Sequence, residues 1–181
     1  MSQASFGPVG SDVGDVVRFG EAMTARTMLG AQATAGGFSV VEHLLGPKEL
    51  AAPLHMHSRE DEFTVVTHGR IGFLLGEGVF SAGPGELVRK PRDQWHTFWN
   101  DGDEPARVLE IISPAGFERY FQEIGPLFPE NAPPDLETMA RVSVKYGLQM
   151  DFSSLPVLIE RFGLARPLEM NGEGPGLHEH P

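Results

Sequence analysis

Two histidines separated by one residue, and a carboxylate shortly after them, stand in the run His55-Met56-His57-Ser58-Arg59-Glu60-Asp61-Glu62. On a β-strand, residues i and i+2 face the same side, so His55 and His57 project together while Met56 points away. Glu62 follows a short turn and heads the apolar run Phe63-Thr64-Val65-Val66. It can therefore return on a neighbouring strand that faces the pair. Two imidazoles and one carboxylate on one wall suit a divalent first-row metal with open coordination positions. Glu60 and Asp61 have the wrong spacing to join them and read as a solvated turn, with Asp61 facing outward.

The elements that must hold these side chains are short strands. Residues 13–114 carry apolar or alternating runs split by glycines: Asp15 to Phe19, Met23 to Met28, Phe38 to Glu42, Glu62 to Thr67 and Ile71 to Leu75. Further runs follow at Val79 to Ser81, Glu86 to Lys90, Trp95 to Trp99 and Arg107 to Ile112. Their spacing and β-branched content predict an antiparallel sandwich or barrel. His68-Gly69-Arg70 and Gly76-Glu77-Gly78 supply hairpin turns. After Pro114 the period changes. Phe117, Tyr120, Phe121 and Ile124 share one helical face, and Leu136, Met139, Ala140 and Val144 share another. A third short helix runs from Leu158 to Phe162 and stops at Gly163. The expected organisation is a loose N-terminus over 1–12, a β-barrel over 13–114, helices over 115–166 and a flexible tail over 167–181.

Composition removes several function classes. Without cysteine, disulfides, zinc–thiolate sites and thiol nucleophiles are excluded. The net charge of −11 argues against a nucleic-acid or anionic-membrane partner, because phosphate binding needs a basic face. No stretch of about eighteen apolar residues exists, and no secretory segment is visible, so a cytoplasmic protein is expected.

A second segment completes the pattern: Gly85-Glu86-Leu87-Val88-Arg89-Lys90-Pro91-Arg92-Asp93-Gln94-Trp95-His96-Thr97-Phe98-Trp99-Asn100. Together the two segments resemble the motifs of the cupin superfamily, G-x5-H-x-H-x(3,4)-E-x6-G and G-x5-P-x-G-x2-H-x3-N. His55, His57, Glu62 and Gly69 fit the first, and Gly85, Pro91, His96 and Asn100 fit the second. The sequence departs at Glu49, where the first motif opens with glycine, and at Asp93, where the second has the glycine of P-x-G. The stretch Pro91-Arg92 with His96 to Asn100 looks more particularly like the quercetin-dioxygenase-like, single-domain bacterial cupins. The resemblance implies a mainly β fold, a double-stranded β-helix or jelly-roll barrel, here with a C-terminal α-helical appendage. It also implies one divalent transition metal per chain (Fe, Mn, Ni, Co or Zn) on His55, His57, Glu62 and His96.

Four ionisable side chains converging inside a small barrel are costly to bury without a shared partner, which favours a metal over satisfied core residues. Strand parity places Phe98 with His96, and Thr64 and Val66 with Glu62, while Phe73 can join from the next strand; these four are the expected substrate pocket. His43 and His68 read as surface or capping residues, and His178 and His180 as part of the tail. The aromatic stripe at 117–124 reads as a helix packing on the barrel or on a partner chain in a homodimer. The expected function is a metal-dependent oxidoreductase, dioxygenase-like, acting on a small, largely apolar substrate. Glu62 is its candidate proton acceptor. A metal-dependent isomerase, lyase or hydrolase working without O2 and a non-catalytic small-molecule binding module stand beside it.

Overall fold

The computed structural model describes residues 8–10, 13–129 and 134–165. The 1–12 and 167–181 segments, with His178 and His180, fall almost wholly outside them. In chain order the elements are β1 (Val16–Phe19), β2 (Met23–Leu29), β3 (Ser39–Leu45), β4 (Leu54–His57), β5 (Asp61–His68) and β6 (Ile71–Leu75). They continue with β7 (Gly78–Ala82), β8 (Leu87–Lys90), β9 (His96–Asn100), β10 (Ala106–Ser113), α1 (Glu118–Ile124), α2 (Leu136–Lys145), β11 (Leu148–Asp151) and α3 (Ser154–Phe162). The strands form two antiparallel sheets, ordered β1-β2-β3-β10-β5-β8 and β11-β4-β9-β6-β7. This is the jelly roll that the resemblance to cupins implies.

The sheets bury their facing sides by simple alternation. In β3, Ser39, Val41, His43 and Leu45 point inward; in β10, Ala106, Val108, Glu110 and Ile112 do. One end of the interior is an apolar plug of Leu45, Val66, Ile71, Phe73, Val88 and Val108. The other end is closed by the aromatic stripe of α1, where Phe117 and Tyr120 pack with Val41, Ile112 and Leu148. Two turns fix the register near the site. Gly69 has φ of +78°, and a Cβ there would lie 2.7 Å from that of Ala106, so only glycine fits this hairpin. Asp93 takes the left-handed turn (φ +59°) where the motif carries glycine, a conformation aspartate tolerates better than most residues.

The helical region differs from the sequence reading in two respects. It is not purely helical: β11 pairs with β4, opposing Met150 to His55 and Leu148 to His57, and so backs the histidine strand. And α2 turns a different face to the barrel. Met139 and Ser143 are buried while Leu136, Ala140 and Val144 are exposed. The Ser143 hydroxyl explains this rotation, because it reaches both the Tyr120 hydroxyl (3.1 Å) and the Met139 carbonyl (2.8 Å). A polar residue that satisfies itself locally can occupy a buried helix face, which an apolar count misses. Among the described residues, no helix is long and apolar enough to cross a membrane.

Candidate metal centre

Two strands of one sheet supply the three imidazoles and a strand of the other supplies the carboxylate. His55 lies directly opposite His96 across β4 and β9, and His57 follows at the next inward position of β4. Glu62 faces them from β5. One donor atom from each of His55, His57, Glu62 and His96 lies within 4.8 Å of the others, and all four residues are buried. The two motif segments are also tied together outside the site. Asp61 accepts from the Arg92 backbone N–H (2.9 Å) and pairs with its guanidinium (3.1 Å), and the Asp93 N–H donates to the His57 carbonyl (2.7 Å).

The hydrogen bonds set the histidine tautomers. His55 Nδ1 lies 2.8 Å from the Pro53 carbonyl and His96 Nδ1 lies 2.9 Å from the Gln94 carbonyl. A carbonyl only accepts, so both Nδ1 atoms carry the proton and each Nε2 keeps a lone pair. Yet His96 Nε2 stands 3.2 Å from Glu62 Oε2, and His57 Nε2 stands 3.4 Å from Glu62 Oε1. A doubly protonated His96 would satisfy both of its neighbours, but burial pushes its pKa down, against the pull of Glu62. Burial, with His96 and His57 alongside, drives the His55 pKa well below its ordinary value. The neutral His96 imidazole therefore turns its Nε2 lone pair to the Glu62 carboxylate, acceptor against acceptor. A divalent cation among the four donors resolves that conflict, so the donor set fits a metal.

Behind the carboxylate lies a buried chain of groups absent from the sequence reading. Lys90 Nζ donates to Glu62 Oε2 (2.8 Å) and to Glu110 Oε2 (2.9 Å), and the Thr64 hydroxyl donates to the Glu110 carboxylate. Burial alone would raise the Glu62 pKa, but His57, Lys90 and His96 together hold it well below the usual carboxylate range. Glu110 goes the other way. Its burial, only partly opposed by Lys90, lifts it to about 7. Lys90 stays charged because the two carboxylates outweigh its desolvation. Strand parity could have found both residues, since Lys90 shares the inward face of β8 with Val88, and Glu110 that of β10 with Val108 and Ile112.

Three of the four metal-donor residues, His55, His57 and Glu62, form one wall of a chamber of about 50 Å³. Of the four residues expected to line it, Phe98 does, whereas Thr64 buttresses Glu110, and Val66 and Phe73 belong to the apolar plug beyond Phe98. Parity puts a residue inside the barrel without saying at which level. Glu110, His43, Phe117, Tyr120 and Phe121 complete much of the lining. His43 is thus a correction: it is buried, its ring centroid is 5.3 Å from that of Phe121, and burial lowers its pKa to about 4. His68 is exposed, as expected. Glu60 is a second correction. It is only 7% exposed, with Oε2 3.6 Å from His57 Nδ1, the one Nδ1 of the three metal-site imidazoles not bonded to a backbone carbonyl.

Residues 41–112 match the family model described as a cupin domain. Among solved structures, the chain is similar to KdgF from Halomonas sp., at 14% identity and a TM-score of 0.55, covering 64% of this chain and 99% of that one. It is also similar to the oxalate decarboxylase of Lactobacillus farciminis in complex with formate, at 20% identity and a TM-score of 0.50, covering 56% of this chain and 31% of that one. No curated protein matches. Likeness at these identities concerns the fold, and the fold is that of a cupin jelly roll carrying the four-residue donor set.

Proposed function

We propose that this chain is a metal-dependent oxidoreductase of the dioxygenase kind, in the manner of the quercetin-dioxygenase-like cupins, acting on a small organic substrate. One observation carries the reading: the four donors of His55, His57, Glu62 and His96 converge, and three of them, His55, His57 and Glu62, line a small, partly open chamber shared with Phe98, Phe117, Tyr120 and Phe121. A redox-active divalent ion held there supplies Lewis acidity and one-electron chemistry with O2. The protein's own residues do the rest. Phe98, Phe117 and Phe121 exclude water, which strengthens every charge interaction inside. The Nδ1–H bonds of His55 and His96 fix ring orientation and leave Nε2 as donor. Glu62, with its pKa held low, serves as ligand and makes a weak base. Glu110 lines the same chamber with a pKa near 7, so it is better matched to accept a substrate proton. Lys90 bridges the two carboxylates and stabilises whichever is charged.

The chamber has room for about four water-sized groups, which excludes a whole flavonol from it. The productive substrates are therefore expected among compact diketones, enols and catechols of which only the reactive end enters the chamber. The first measurement is elemental analysis of untagged protein beside His57→Ala and His96→Ala. Near one equivalent of metal in the wild type, lost in both variants, supports the site. Substrate-dependent O2 uptake with iron, manganese, nickel or cobalt then supports the activity, and its absence across those substrates and metals overturns it. The buried Lys90–Glu110 pair favours one second reading, a proton-transferring isomerase or lyase, which turnover under strict anaerobiosis would select. A wild type that binds no metal after reconstitution would overturn both.

A further inference from the structure

A second cavity, of about 420 Å³, lies beside the chamber and is lined by Arg59, Glu60, Gly116, Arg119, Glu123, Lys145 and Tyr146, among others. Its size suits a small-molecule ligand, which the 50 Å³ chamber does not. Only one layer of side chains separates the two spaces. Phe117 stands with its ring centroid 4.5 Å from that of His57 on the chamber side and 6.2 Å from that of Tyr146 on the cleft side. Gly116 and Phe117 are consecutive, and Arg59-Glu60 follow His57 almost directly.

The charges in the cleft are not balanced against one another. Glu123 is closed off by Lys145 Nζ (2.6 Å) and by the Tyr146 hydroxyl (2.6 Å). Glu60 turns its carboxylate into the wall toward His57. Arg59 donates to the Lys145 carbonyl (3.1 Å) and, like Arg119, has no carboxylate partner among the described residues. Two unpaired guanidinium groups thus share one cleft in a chain of net charge −11. Guanidinium groups recognise planar oxyanions through paired N–H donors.

We propose that this cleft is the substrate-recognising half of the active site, and that the substrate is an organic oxyanion held by Arg59 and Arg119 with its reactive end directed past Phe117 to the metal donors. The proposal rests on the metal-dependent reading for its chemistry, but anion recognition can be tested without it. It revises the expectation of a largely apolar substrate: the apolar part enters the chamber and the anionic part stays in the cleft. Arg59 and Arg119 become specificity determinants, and the limited volume of the chamber is no longer a conflict.

The test is calorimetric titration of the full chain with succinate, with inorganic phosphate and with neutral succinamide, in wild type, Arg59→Gln, Arg119→Gln and the double variant. Saturable succinate binding is expected, weakened about tenfold by each substitution, or about 1.4 kcal/mol each, with no binding of succinamide. Phosphate binding as strong as succinate would assign the site to phosphate esters rather than carboxylates within the same oxyanion class. Equal binding of succinamide, or succinate binding untouched in the double variant, overturns the proposal. A second readout fixes the location. With Mn²⁺ loaded at the histidine site, the proton relaxation of bound succinate should be enhanced in wild type and return to baseline in the double variant, at unchanged metal content. Succinate binding without enhancement in Mn²⁺-loaded protein overturns the placement beside the metal. Failure to load Mn²⁺ would count against the metal reading, while the calorimetry would still decide the anion site.

Discussion

Replacing Lys90 with methionine tests whether the buried chain behind Glu62 is assembled as described. The ammonium makes two short bonds, 2.8 Å to Glu62 and 2.9 Å to Glu110, and all three groups are at least nine-tenths shielded from solvent. Methionine conserves most of the volume, so the loss is electrostatic rather than a cavity. Breaking a buried ion pair by removing one partner costs about 3–5 kcal/mol, because the remaining charge is uncompensated. The cost should depend on pH in a defined direction. Glu110 has a folded pKa of about 7, above its ordinary 4.5, so its contribution to stability is fully present below about 4.5 and is lost as pH rises through about 7. Without Lys90 that folded pKa rises further. At pH 8 the variant must then either bury two facing carboxylates or keep Glu110 protonated at a cost. At pH 6 Glu110 is protonated in any case, and the deficit should fall to about half of its value at pH 8. Urea denaturation of metal-free wild type and Lys90→Met at both pH values measures it. A variant within about 1 kcal/mol of wild type at pH 8, or one with no smaller deficit at pH 6, would refute the triad and its assigned charges.

Two further outcomes follow from single contacts. Glu60→Ala removes the carboxylate facing His57 Nδ1, so metal affinity by chelator competition should fall about 10–100-fold, and a change under twofold would deny Glu60 any orienting role. Gly72→Ala would place its Cβ 2.2 Å from the Trp99 indole, which is stacked on Phe162 at 4.1 Å and cannot retreat; a loss of about 2–3 kcal/mol is expected, with recovery on adding Trp99→Leu.

Much of the architecture was legible because period and motif pointed the same way. The alternating runs became strands, the hairpins formed at Gly69 and at Gly76–Gly78, and the resemblance to cupins located the four donors that the fold brings together. What escaped notice was polar and inward. Glu60 reads as part of a solvated turn and His43 as a surface or capping residue, and Lys90 and Glu110 draw no assignment, because charged or polar side chains are usually solvated. Their burial depends on partners far away in sequence: Lys90 needs Glu62 and Glu110, and Glu60 needs His57. A pairing of that kind has no local signature. β11 was missed for a related reason, since Leu148–Asp151 is too short to show a period and becomes a strand only by docking on β4. Thr64, Val66 and Phe73 lie away from the chamber lining because alternation gives the side of the sheet but not the depth along the barrel.

The distribution of donors between the sheets has its own consequence. His55, His57 and His96 belong to the five-stranded sheet and Glu62 to the six-stranded one, so anything that bridges the four donors also clamps the two layers together. Lys90 and Glu110 do not substitute for that clamp, because both lie in the same sheet as Glu62. A metal on these donors would therefore add to the apolar plug in holding the two layers closed. A ligand bound only by the closed form stabilises it by RT ln(1 + [L]/Kd), about 4 kcal/mol at a thousandfold excess over Kd. The α1 stripe is tied to the same donors, because Phe117 rests on His57 at 4.5 Å and lines the chamber. Site and core thus meet at Phe117 and Phe98, each of which packs in an apolar cluster and also lines the chamber beside the buried ionisable groups.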